Sequence, residues 1–165
     1  MKNLLFTSLL AFSLTLVAEQ DRTQPTPAAN ATWGDWSKIC NDDGSTCQIV
    51  QNANQNETGK LVFQTAIGYV KDNDRPILFL TGPLGIYIPK GIAIFVDENE
   101  QGKQAAIQRC DAKGCLALLA LEQEFLDSLL RGKTAKVVFA ASSTQNVQLP
   151  VSLDGITAAF QQLQQ

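Results

Sequence analysis

The stretch Lys60-Leu61-Val62-Phe63-Gln64-Thr65-Ala66-Ile67-Gly68-Tyr69-Val70 decides the fold class. Leu61, Phe63, Thr65, Ile67 and Tyr69 fall on alternate positions, the period at which a strand presents one face to a core. The same reading extends outward. Ile77 to Thr81 is a short apolar run bounded by Pro76. Ile92, Ile94 and Val96 alternate ahead of the turn Asp97-Glu98-Asn99-Glu100-Gln101-Gly102, and Gln104 to Cys110 pairs back from it. Leu116 to Leu121 is a continuous apolar strand. Ala135, Val137, Phe139 and Ala141 form another strand, and Val147, Leu149 and Val151 one more. Short strands punctuated this regularly predict a sandwich or barrel.

Two segments change period. Phe125, Leu126, Leu129 and Leu130 share a helical face, with Gly132 placed to cap the end. Leu153, Ile156, Phe160 and Leu163 recur at helical spacing after Ser152, an N-cap residue type. The pattern therefore predicts a mainly β chain. It is an antiparallel β-sandwich or partly open barrel with one short helix and a C-terminal helix covering an open face or edge.

The N-terminus reads as an address. Met1-Lys2-Asn3 is basic, and Leu4 to Ala18 is apolar apart from Thr7, Ser8, Ser13 and Thr15. A membrane span needs about 20 apolar residues, so residues 1–18 are expected to be a cleavable signal peptide. No cysteine follows the run, which argues against a lipoprotein. Residues 19–32, rich in Gln, Thr, Pro and Ala, are expected to be a flexible lead-in to a single domain over 33–165. Loss of the leader removes Lys2 and no acid, moving the formal charge from -3 to -4. Lys and Arg are scattered along the chain with no basic stripe, an argument against nucleic acid and against an anionic membrane surface.

The four cysteines stand as two close pairs, Cys40/Cys47 and Cys110/Cys115. Four cysteines allow three connectivities. The Gly- and Asp-containing loops Asn41 to Thr46 and Asp111 to Gly114 favour the local pairs, each closing a hairpin tip. Such loops contribute roughly 2–2.5 kcal/mol each in the chain-entropy model. A long-range pairing such as 40–110 would contribute more and stays open at this level. Four thiolates could hold zinc, but structural zinc sites favour closer spacing, and an exported chain meets an oxidising compartment. Neither pair has the C-x-x-C spacing of a redox-active disulfide.

Histidine is absent from the chain. This excludes Ser-His-Asp triads, Cys-His pairs and His-ligated metal. No serine lies in a G-x-S-x-G or S-x-x-K motif. Asp97, Asn99, Gln101 and Gly102 mimic the start of a calcium loop, but the closing position is Gln108 where calcium needs Glu. No cofactor and no metal is expected. Trp36 reads as a core residue or as a staple over the first disulfide. The segment Thr81-Gly82-Pro83-Leu84-Gly85-Ile86-Tyr87-Ile88-Pro89-Lys90-Gly91-Ile92 has two readings. It is a tight connection between buried strands, or an exposed ridge offering Tyr87 and Lys90 to a partner.

Several of these features together resemble one family. Asp35-Trp36 is followed by Cys40, Cys47 and Gln51, then by Pro83-x-Gly85 and Pro89-x-Gly91. Cys110 and Gly114-Cys115 come next, then Leu149-Pro150-Val151-Ser152-Leu153-x-Gly155 leading into Ala158-Ala159. The chain is similar from Trp33 to Leu163 to the invasion-associated locus B (IalB) family of bacterial exported proteins. Ile156 stands where that family is expected to carry Phe. The resemblance implies a periplasmic or secreted protein of a Gram-negative bacterium, with some members linked to entry into host cells. It brings no catalytic motif. The expected function is non-enzymatic binding to an unknown protein or envelope component through the loop around Tyr87 and Lys90. The alternatives are an envelope-glycan hydrolase using paired carboxylates and a structural or stress protein of the envelope.

Overall fold

The structure, a computed structural model, describes residues 31–54 and 61–163. The expected signal peptide (1–18) and nearly all of the lead-in lie outside the described residues. Ten strands follow in order: β1 (Thr32–Trp33), β2 (Trp36–Cys40), β3 (Cys47–Asn54), β4 (Leu61–Gly68), β5 (Ile77–Gly82), β6 (Ile92–Val96), β7 (Lys103–Asp111), β8 (Gly114–Ala120), β9 (Thr134–Ala140) and β10 (Asn146–Ser152). Helix α1 (Gln123–Arg131) links β8 to β9, and α2 (Ile156–Gln161) follows β10. A single 3-10 turn, Ile88–Lys90, precedes β6.

All ten strands join one sheet in the order β1-β2-β3-β4-β5-β8-β7-β6-β9-β10, with every pairing antiparallel. The sheet curls on itself through a narrow link, in which β6 and β7 share only Ile92↔Ala105, Ala93↔Gln104 and Ile94↔Lys103. The result is the partly open barrel of the two expected architectures. Alternation sets its interior. Ile49, Ile67 and Leu78 line up across β3, β4 and β5, and all three are fully buried in the core. Across the interior, the rings of Phe63 on β4 and Phe139 on β9 stack at 5.9 Å, worth about 0.5–1.5 kcal/mol beyond their burial.

The barrel's open seam is closed by side chains. Gln51 on β3 faces Ser152 at the end of β10. Its Nε2–H donates to the Ser152 carbonyl at 2.9 Å, and its Oε1 accepts the Ser152 N–H at 2.9 Å. One carboxamide thus stands in for a strand residue. The Trp36 indole N–H donates to the same carbonyl at 2.9 Å. Trp36 itself is fully buried in the core. Nearby, the Asp35 N–H donates to the Asp154 carbonyl, and a Cβ at Gly155 would run into the Trp33 carbonyl. Helix α2 completes the seam: Lys38 Nζ donates to the Gln162 carbonyl at 2.6 Å, and the Thr157 hydroxyl to the Leu130 carbonyl at 2.6 Å.

Two helix ends differ from expectation. Ser152 belongs to β10, and the N-cap position of α2 is Gly155 with no side-chain cap. The Ser152 backbone is used by the seam, and its hydroxyl accepts the Asp154 N–H at 3.2 Å. Gly132 does end α1, but in extended backbone and for want of space: a Cβ there would meet Val96 and Leu153 side chains at 2.7 and 2.8 Å.

The calcium-like turn has a structural role. Asp97 Oδ1 accepts the backbone N–H groups of Lys133 and Thr134 at 3.0 and 2.9 Å, tying the β6–β7 turn to the start of β9. These bonds, the Thr134 N–H foremost, hold its carboxyl below the usual range. A depressed pKa stabilises the fold above the ordinary carboxylate value of 3.8 and ceases to do so as pH falls through the folded-state value. Asp97→Asn keeps the left-handed backbone tolerance that φ 49° requires. It is expected to melt at lower temperature than the wild type at neutral pH, with the gap closing below pH 3.8. Parallel melting curves across pH 2–7, with a constant gap, would show that the charge contributes nothing.

Candidate functional site

Both disulfides are local. Cys40–Cys47 ties β2 to β3 and Cys110–Cys115 ties β7 to β8, each joining directly opposed residues at a hairpin tip. Strand direction alternates, so the two bridges stand at opposite ends of the barrel. The first shares its end with the β4–β5 and β6–β7 turns and both helices. The second shares its end with the β5–β6 segment and the β9–β10 turn.

The β5–β6 segment connects two core strands and is exposed over Leu84, Gly85 and Tyr87 to Lys90. Among the described residues, four large apolar side chains are notably exposed, and three stand on this ridge: Leu84 at 59%, Ile88 at 55% and Tyr87 at 39%. The fourth, Val70, lies at the opposite end. Such a concentration marks a contact surface more readily than scattered apolar residues do. The ridge is fixed at its feet. Ile86 turns inward and is buried, and the Tyr87 N–H donates to the Ala140 carbonyl at 2.7 Å. Pro89 lies in the 3-10 turn, whose last N–H, that of Gly91, donates to the Ile88 carbonyl at 2.9 Å. Gly85 sits at φ 90° with open space around it, so the turn's conformation requires glycine there. Lys90 is exposed, and its Nζ donates to the Ser143 carbonyl at 2.8 Å.

The second disulfide buttresses this ridge. Gly114 in the bridged turn packs so tightly on the Gly82 carbonyl that a Cβ would overlap it, and Cys115 pairs with Gly82 in the sheet. The expected partner-facing residues Tyr87 and Lys90 are therefore brought together on a surface, with Leu84 and Ile88 added by the structure. Leu84 and Ile88 carried a signal in the sequence, as apolar residues between prolines and glycines in a segment too broken for a strand.

The three acidic clusters read from the sequence stay apart. Asp42 and Asp43, Asp72 and Asp74, and Asp97, Glu98 and Glu100 occupy three separate turns, all exposed. Asp43 is held low by hydrogen bonds from Ser45, and the only buried polar residue among the described residues is Thr65. A glycan hydrolase needs a carboxyl raised toward neutrality opposite a second one. Asp43 and Asp97 are both held low by hydrogen bonds, the opposite of that requirement. No group of three or more acids and cysteines among them could hold a metal.

The fold is a half-open antiparallel barrel, bridged by a disulfide at each end and carrying exposed apolar residues on the β5–β6 segment. The chain belongs to the family described as invasion associated locus B (IalB) protein, whose model matches residues 36–164. It is 27% identical over 141 residues to invasion protein B of Bartonella bacilliformis, covering 80% of this chain and 73% of that one. Its fold is that of the crystal structure of invasion associated protein B from Bartonella henselae. The TM-score is 0.71 at 23% identity, over 82% of this chain and 96% of that one.

Proposed function

We propose that this protein is an exported, non-enzymatic binding protein of the bacterial envelope, periplasmic or secreted, whose working surface is the ridge from Leu84 to Lys90. The observation that carries this reading is the exposure of Leu84, Tyr87 and Ile88 on one anchored loop. Rigid apolar side chains held clear of the core cost little ordering entropy when a partner covers them. The names of its relatives support a role in contact with host cells.

The test is affinity capture from envelope fractions, comparing the wild type with Leu84→Ser combined with Ile88→Ser. Both side chains are solvent-exposed, so the double variant is expected to unfold within about 0.5 kcal/mol of the wild type. It is expected to lose the captured component. Equal capture by both proteins would move the working surface elsewhere. Capture of nothing by either, with weakened envelopes on deletion, would favour the structural role.

A further inference from the structure

The fold sorts the described acids away from one end, while most of the described cations stay spread over the rest of the molecule. At the ridge end, the described charged residues are Lys90, Arg109, Lys113 and Asp111. The single acid is paired with Arg109 at 3.6 Å. Every other acid among the described residues lies away from this end. These acids occupy the β1–β2, β2–β3, β4–β5 and β6–β7 turns, the region of α1, and the β10–α2 connection. The β1–β2 turn belongs with them because the Asp35 N–H bonds to the Asp154 carbonyl. Among the described residues, the end that carries the apolar ridge thus holds three cations, Lys90, Arg109 and Lys113, against the single acid Asp111.

We infer that the ridge docks on an anionic phospholipid bilayer, with Leu84 and Ile88 entering the interface, Tyr87 at headgroup level and the cations against lipid phosphates. This rests on the ridge being the working surface and names what it meets. Three observations favour a bilayer over a protein partner. Leu84 and Ile88 are exposed together on one loop, so they can enter a soft interface without a complementary groove. Tyr87 carries an apolar ring and a polar tip, the pairing suited to a membrane interface. A shallow depression beside the ridge is lined by Arg109 and Lys113 together with Thr81, Gln64 and the single acid of this end, Asp111. The acidic turns point away from the surface, so the charge asymmetry orients the molecule as well as attracting it.

The experiment uses the protein from residue 19 onward, because the apolar Leu4 to Ala18 run would itself enter lipid. Sedimentation with phosphatidylcholine vesicles, with and without added phosphatidylglycerol, gives the affinity. Binding is expected only with phosphatidylglycerol and is expected to weaken with salt. Lys90→Gln with Lys113→Gln should weaken it by roughly 25-fold, at about fivefold per cation. Leu84→Ser with Ile88→Ser should abolish it, while the melting temperature stays in place. Ile88→Trp supplies a direct readout: its emission should shift to the blue on phosphatidylglycerol vesicles. Binding unaffected by these substitutions, or equal on neutral vesicles, overturns the inference. So does an absence of vesicle binding. If ridge-dependent capture of a protein from the envelope persists in that case, the bilayer assignment fails while the ridge remains the working surface.

Discussion

Trp36→Ala is expected to destabilise the protein by about 3–5 kcal/mol. The indole is fully buried in the core, and its N–H closes the seam through the Ser152 carbonyl. Deleting it opens a cavity where β2 meets β10, at the junction the sheet does not bridge with a ladder. Domains of this kind are stable by about 5–15 kcal/mol in total, so the variant would be partly unfolded or close to it. Trp36→Phe separates the two contributions. It retains much of the volume and loses the N–H, while the Ser152 carbonyl keeps its bond from Gln51. No acceptor is orphaned, so the expected cost falls well below that of alanine. Urea unfolding followed by circular dichroism measures both. A loss under about 1 kcal/mol for Trp36→Ala would mean that the seam does not hold the barrel.

Reduction of both disulfides is the second large effect. Each short loop contributes roughly 2–2.5 kcal/mol by restricting the unfolded chain. The bridges stand at opposite ends of the barrel with no shared partner, so their contributions should add. Cys40→Ala/Cys47→Ala and Cys110→Ala/Cys115→Ala are each expected to lower the melting temperature by roughly 10 °C, and the quadruple variant by the sum. The two pairs should differ in consequence. Loss of Cys110–Cys115 frees the turn that packs on Gly82, so it should also weaken binding through the ridge. Loss of Cys40–Cys47, at the far end, should leave that binding intact. An unchanged melting curve with thiols confirmed free would show that neither bridge supports the fold.

The strands from β4 to β10 were legible because each rests on a local signal, whereas β1, β2 and β3 lack so clear an alternation and were marked only by the turn between Cys40 and Cys47. Phe63, Thr65 and Ile67 alternate within a few residues, and the observed β4 follows that alternation. The cysteine pairing was legible for a similar reason, since each pair sits across a short turn rich in Gly and Asp. Ser152 shows where local reading fails. Its type and place suggest an N-cap, but a bond partner 101 residues away claims its backbone. Asp97 is similar. Its neighbours suggest a cation loop, and its carboxylate is committed to Lys133 and Thr134, 36 and 37 residues on.

By itself, the sequence determined a bridged, mainly β scaffold without histidine chemistry, and the family to which it belongs. Alternation, turn composition and short cysteine loops act within a few residues, so they survive reading in one dimension. Only the tertiary structure decided how the residues that carry the family resemblance are used. Trp36, Gln51 and Ser152 converge from the two ends of the chain on a single seam, across separations of 116 and 101 residues. Only the tertiary structure showed Leu84, Tyr87 and Ile88 standing clear of the core. It also gathered Lys90, Arg109 and Lys113 around them. Exposure and charge grouping depend on which distant strands become neighbours, and burial of the whole core sets that order.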